Sequence, residues 1–249
     1  MMKNRVFALT AGTLLCASSA FGQIWAEINS GGINGATDAG SMLATANITS
    51  GVGPLTNITG TLTGLLGTNS TDYDADMFCI RIENPMTFSA TSLSGDTVLA
   101  LFDMNGVAIA FNDDRTDSVT ATTSRLSASW IPGLVAGQDY FLGVARVTGN
   151  DVLRRYTRPL DSNGALIFSG PANLSDISDP NYADRRADLF PITPGTVLAG
   201  WEVQPAGTPA PFNLNYNIEL VGVTYSAIPA PAGLGLLGLG MVGALRRRR

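Results

Sequence analysis

The sequence predicts an all-β chain: a single β-sandwich or jelly-roll-like domain, flanked by an N-terminal signal helix and a C-terminal hydrophobic helix. Three observations predict it. Short runs alternate apolar and polar residues, which is the period of a strand with one buried face. These runs recur at roughly 8–12-residue spacing with Gly, Asn, Asp and Pro between them, the punctuation of a sandwich. Outside the two ends, no window keeps a 3.6-residue apolar period with helix caps.

In chain order, Asn57-Ile58-Thr59-Gly60-Thr61-Leu62 alternates and predicts the first strong strand. Phe78-Cys79-Ile80-Arg81-Ile82 alternates again and reads as a half-buried strand. Thr97 to Phe102 is rich in β-formers, and Tyr140 to Val144 follows the Ala136-Gly137 turn signal. Residues 150–195 read as a long loop or insertion, with Arg154, Arg155, Arg158, Arg185 and Arg186 set among Asp, Ser, Asn and Pro. Asn215-Tyr216-Asn217-Ile218-Glu219-Leu220 supplies a late closing strand. The predicted domain covers 23–227.

The ends carry addresses. Lys3 and Arg5 precede an apolar core, Val6 to Ala17, and Ala20-Phe21-Gly22 is a small-x-small site. That is the pattern of a secretory signal peptide, residues 1–22, cut between Gly22 and Gln23 by signal peptidase. At the other end, 228–249 holds Pro229-Ala230-Pro231, an apolar run from Ala232 to Leu245, and Arg246, Arg247, Arg248 and Arg249. A fourteen-residue helix is about 21 Å long, short of the roughly 30 Å hydrocarbon core. Five glycines in the run weaken it further. A short apolar segment with a basic stop suits transient retention in a membrane, the arginines staying on the cytoplasmic side, followed by cleavage.

These three parts resemble the PEP-CTERM sorting signal of bacterial exported proteins: a Pro-Glu-Pro-like motif, a hydrophobic helix and an Arg cluster. Ala230 stands where that family usually has Glu. The resemblance implies a partner, an exosortase-like membrane transpeptidase, and a chain tethered transiently to the inner membrane before reaching the cell surface or medium.

Composition bounds the body. Lys3, Arg5 and Arg246–Arg249 account for six of the 15 basic residues, and all 20 acidic residues lie between Glu27 and Glu219. Nine arginines against twenty carboxylates leave a net charge of −11 on the predicted domain. Such a body repels phosphate backbones, which argues against nucleic-acid binding. There is no histidine, which removes Ser-His-Asp triads, Cys-His dyads and histidine zinc sites together. No P-loop or G-x-S-x-G elbow is present. A paired-carboxylate hydrolase is the enzyme class these residues leave open. With Cys16 in the leader, Cys79 is alone in the body, so its default role is that of a buried small hydrophobe.

A second resemblance covers 72–145, within a core of about 57–147. Asp74-Ala-Asp76-Met-Phe78, Asp96-Thr-Val-Leu99-Ala-Leu101-Phe102-Asp103, Asn112-Asp113-Asp114 and Ala136-Gly137 before Tyr140 are similar to the bacterial pre-peptidase C-terminal β-sandwich family. It implies a non-catalytic module of a secreted protein, and in some members calcium binding. The residues themselves offer oxygen: Ca²⁺ takes six to eight oxygen ligands, and Asp74, Asp76, Asp103, Asn105, Asn112, Asp113 and Asp114 form the candidate set. Alternation in an extended chain would point Asp72, Asp74 and Asp76 one way. Asp, Asn and Gly are equally what tight turns require. The expectation is therefore a non-catalytic exported protein with a structural or adhesive role, or alternatively a module binding exopolysaccharide.

Overall fold

The alternating runs become strands, and most extend beyond their most regular segment. In the computed structural model, the described residues are 22–27, 39–66, 74–113, 123–129, 131–148, 155–165, 167, 195–203 and 210–228. The predicted signal helix and hydrophobic tail helix lie outside them. The strands are β1 (Gln23–Ala26), β2 (Asn47–Ile48), β3 (Leu55–Leu66), β4 (Ala75–Ile82), β5 (Ser89–Ser94), β6 (Thr97–Phe102) and β7 (Ala108–Asn112). They continue with β8 (Arg125–Ser127), β9 (Gln138–Thr148), β10 (Arg155–Leu160), β11 (Gly200–Val203), β12 (Ala210–Val221) and β13 (Val223–Tyr225). The expected all-β fold is what the described residues form.

Two sheets face each other. The first has the order β1-β3-β12-β5-β8; in the second β9 pairs with β4, β6 and β10, and β2 and β13 flank β4. Between them lies one core. Ile58, Leu62, Ala90, Leu126 and Ile218 from the first sheet meet Phe78, Ile80, Leu99, Leu101, Leu142 and Val144 from the second. This is the packing of two inner sheet faces expected of a sandwich.

A second core lies on the outer face of the second sheet. There Met77, Cys79, Ala100, Phe102, Phe141 and Ala145 are covered by Ile167, Leu198 and Trp201, with Met42, Leu43 and Ile228 packed at its margin. The indole Nε1 of Trp201 donates to the Ser41 carbonyl at 2.7 Å. This layer corrects the half-buried reading of 78–82: every residue of β4 except Arg81 is buried. It also explains why Thr97–Phe102 is a continuous apolar run, since a strand covered on both faces has no solvent side to mark. Within the stretch read as an insertion, Arg155–Leu160 is a strand, paired with β11 through Thr157–Val203 to Leu160–Gly200.

The sandwich has two chemically different ends. At one, Gln23 pairs with Leu55, Val221 with Ser89, Ser89 with Ser127, and Ile82 with both Val223 and Gln138. The amides of Glu83 and Asn84 both donate to the Gly222 carbonyl there, so we call it the Gly222 end. The opposite, Tyr216 end holds the buried polar groups described next.

Candidate functional site

Tyr216 is the organising residue of that polar end. Its strand position is inward-facing, and its register partner is Gly60. A Cβ on Gly60 would fall within 3.0 Å of the Tyr216 hydroxyl and of Glu27 Oε2, so only glycine leaves room for both. The Tyr216 hydroxyl donates to Asp76 Oδ2 at 2.6 Å, across the gap between the sheets. Asp76 is fully buried and Tyr216 nearly so. Glu27 accepts from the amides of Ala39 at 3.0 Å and Thr61 at 2.7 Å. Asp74 accepts from the Thr63 amide. Burial first, and then the negative charges of Asp76, Glu27 and Asp74, hold the Tyr216 hydroxyl well above its ordinary titration range. It stays a proton donor, and the arrangement ties β1, β3, β4 and β12 together.

The candidate calcium ligands separate into three places. Asp74 and Asp76 do share a face, as the alternation predicts, and both lie by Tyr216. Asn112 lies in the same cross-sheet row as Asp76, through Val144 and Leu99. Three strand spacings put them about 14 Å apart. Asn112 Oδ1 accepts from the Arg125 amide at 2.8 Å, and Asp113 beside it is buried. Asp103 and Asn105 sit at the opposite end of β7, in the β6–β7 turn. Asp114 lies outside the described residues. Calcium–oxygen distances of about 2.3–2.6 Å cannot be met by these groups together, so the six described ones do not form one coordination shell. Among the described residues no group of three or more Cys, Asp or Glu side chains is gathered in a form that could hold a metal ion.

The turn at Asp103 has a defined structural job. Asp103 Oδ1 accepts from the amides of Asn105 and Val107, both at 2.8 Å, and Gly106 has φ +80. Asp161-Ser-Asn163-Gly164-Ala165 repeats the pattern: Asp161 Oδ1 accepts from Asn163 and Ala165, both at 2.8 Å, and Gly164 has φ +72. Asp-x-Asn-Gly is thus a turn device used twice. The aspartate caps two amides, and glycine takes the left-handed conformation.

A different surface stands out on the first sheet. The outward residues of β3 are Asn57, Thr59, Thr61 and Thr63; their register partners on β12 are Glu219, Asn217, Asn215 and Asn213. Asn57 Nδ2 donates to Asn217 Oδ1, and Thr61 Oγ1 to Asn215 Oδ1, each at 2.9 Å. Asparagine is depleted in strands, and here it recurs at alternate positions of β12. The result is a cross-linked face of amides and hydroxyls on a strongly acidic chain. The sequence held this signal in N-x-N-x-N, but only the register brings it opposite T-x-T-x-T.

Cys79 is buried at zero exposure, its thiol pushed up to about 11 chiefly by burial. It has the environment of an inert core residue. The predicted sorting residues Pro229, Pro231 and Arg246–Arg249 lie outside the described residues, while Gly22 and Gln23 lie at the start of β1. Among the described residues no helix is long and apolar enough to cross a membrane. Comparison with protein-family models, with curated proteins and with solved structures finds no match to this chain.

Proposed function

We propose that the chain is an exported, non-catalytic protein of the cell surface or extracellular matrix, with a structural or adhesive role, delivered by a cleavable leader and sorted by its C-terminal tail. The observation that carries this reading is where the strands run relative to the two addresses. β1 begins at Gln23, the residue after the expected leader cut. At the other end β13 runs Val223–Tyr225, and the Ile228 amide donates to Ser226 Oγ at 3.1 Å. Strand pairing starts at the residue after the expected leader cut and hydrogen bonds hold the chain as far as Ile228, so processing at either address would leave these strands intact. The resemblance of the tail to a PEP-CTERM signal and of 72–145 to a pre-peptidase C-terminal module points the same way. So does the use of Asp76, Asp103 and Asn112, each accepting a hydrogen bond that joins neighbouring segments.

Mass spectrometry of the native protein's termini tests the reading. An N-terminus at Gln23 and a C-terminus near Pro231 are expected. A chain recovered only from the cytoplasm with Met1 and Arg249 intact refutes it.

A second reading, recognition of a neutral exopolysaccharide, is favoured by the Asn/Thr face of β3 and β12. Its Asn and Thr donors and acceptors, with Glu219 at one edge, are held in register, as sugar hydroxyls would require. A glycan array decides it: binding lost in Asn215→Asp and Asn217→Asp variants supports recognition on this face, and an array with no binding leaves the structural role.

A further inference from the structure

The Gly222 end of the sandwich joins an exposed apolar rim to both chain junctions. Val52 is 84% exposed and Met86 90%, each at a loop tip. Ile24 at 64%, Val135 at 48% and Val221 at 44% lie towards the same end. Monomeric surfaces scatter such residues singly, and a grouping of them marks an interaction site. Four segments of this end carry little charge: residues 49–54, 128–137 and 221–223 contain none, and 83–88 contains only Glu83. The β6–β7 turn at the same end adds Asp103, whose carboxylate accepts from the Asn105 and Val107 amides. Glu83 is paired with Arg81 at 2.8 Å, and Arg81 lies 3.6 Å from Asp139. Leu93, by contrast, lies towards the Tyr216 end, where Glu27, Asp74, Asp76, Asp96 and Arg146 are found.

The junctions converge on the same end. The Gln23 amide donates to the Pro54 carbonyl at 3.1 Å, and Pro54 is bridged to Thr224. The Tyr225 hydroxyl donates to Gln23 Oε1 at 3.0 Å. Trp25 and Tyr225 stack edge to face at 6.0 Å. Past Tyr225, the Ala227 amide donates to Asp139 Oδ1 at 3.2 Å, beside the first residue of β9. The apolar stretches Val6–Ala17 and Ala232–Leu245 therefore connect to the body at one end rather than at opposite poles.

We propose that the Gly222 end is a membrane-facing surface, with the loops of Val52, Met86 and Val135 resting in the interfacial layer of the bilayer while the chain is held by its tail. This rests on the reading that the tail enters the membrane. An apolar rim whose few charges are paired or capped enters the headgroup boundary at modest desolvation cost. The acidic Tyr216 end, repelled by an anionic leaflet, points into the aqueous phase. The body is thereby oriented, with the Pro229–Pro231 segment at the bilayer surface, where a membrane transpeptidase works.

The test uses the full chain with Cys16→Ser, reconstituted in phosphatidylcholine vesicles doped with doxyl-labelled phosphatidylcholine. Cysteines introduced one at a time by Val52→Cys, Met86→Cys and Val135→Cys, alongside the buried Cys79, carry an environment-sensitive fluorophore. Ser94→Cys reports the far end, and Leu239→Cys reports the tail. Loss of emission and a blue shift at the three loops, with neither at Ser94→Cys, is the expected result. If Leu239→Cys is quenched while the loops behave like Ser94→Cys, the proposal is overturned and tail insertion stands. If neither tail nor loops are quenched, both fall. Loops shielded only by self-association, shown by shielding that persists without vesicles and disappears on dilution, also overturn it in favour of a contact between copies.

Discussion

Tyr216→Phe gives the sharpest test of the polar end. The substitution deletes one oxygen and keeps the ring, so the packing of Tyr216 against Phe78, edge to face at 6.5 Å, is retained. What is lost is a 2.6 Å hydrogen bond to a fully buried carboxylate. Hydrogen bonds to charged groups contribute about 1.5–3 kcal/mol. Both partners are buried, so no allowance for solvent screening applies. For a domain of this size about 1 kcal/mol shifts Tm by about 2–4 °C, and a loss near 2 kcal/mol lowers it by about 4–8 °C. Calorimetry at neutral pH reads this directly, with Tyr225→Phe as the control for a hydroxyl that bonds near the surface. The pH dependence adds a second readout. A raised folded pKa means the unfolded chain releases the proton first, so this contribution is complete below the ordinary tyrosine value near 10 and is lost as pH rises beyond it. Tyr216→Phe should flatten the alkaline fall in stability. A Tm within about 1 °C of the parent (well under the 1 kcal/mol equivalent) and an unchanged alkaline slope would refute this account of the site.

Other perturbations have equally definite outcomes. Gly60→Ala forces Tyr216 and Glu27 apart and should destabilise by about 1–3 kcal/mol, read as a lower urea midpoint; Thr59→Ala on the same strand but the outer face should fall within about 0.5 kcal/mol. Cys79 in the Cys16→Ser chain should resist a thiol reagent at pH 8 and react at the rate of unfolding, and rapid labelling of the native protein would contradict its burial. Asp103→Ala uncovers two amides of the β6–β7 turn and should lower stability by about 1 kcal/mol, measured by chemical denaturation, whereas Asp103→Asn keeps an accepting oxygen and should recover most of it. Because the candidate calcium ligands stand in three separate places, melting in chelator and in millimolar Ca²⁺ should coincide; a rise of several degrees would mean that one of those places binds the ion with other oxygens and stabilises by mass action.

The fold class was legible because alternation is local. Thr97–Phe102 is the strand its composition predicts, and Asn215–Leu220 lies inside β12. What the alternation could not carry was the number of layers. Cys79 and Met77 look the same in sequence whether their face meets solvent-side loops or a second core, and Trp201, which covers that face, is more than 120 residues away. The polar end was half legible. The spacing of Asp74 and Asp76 placed them on one face, but Glu27 and Gly60 join them only through register between distant strands. Glu27 had no local pattern to mark it. The Asp-x-Asn-Gly turns were ambiguous for a chemical reason, since the same oxygens serve a backbone amide or a cation.

The position of β12 has a consequence for how the chain reaches its folded state. It is the middle strand of the first sheet, hydrogen-bonded to β3 on one side and β5 on the other. It is also the next-to-last strand among the described residues. Until it emerges, the β1/β3 and β5/β8 parts of the first sheet lack the strand that lies between them, and Asp76 waits for a tyrosine 140 residues downstream. Contacts of such range close slowly. A chain threaded outward from its N-terminus would therefore stay unfolded through most of its passage, and would gain its sandwich only once residues 210–225 had cleared the translocation channel.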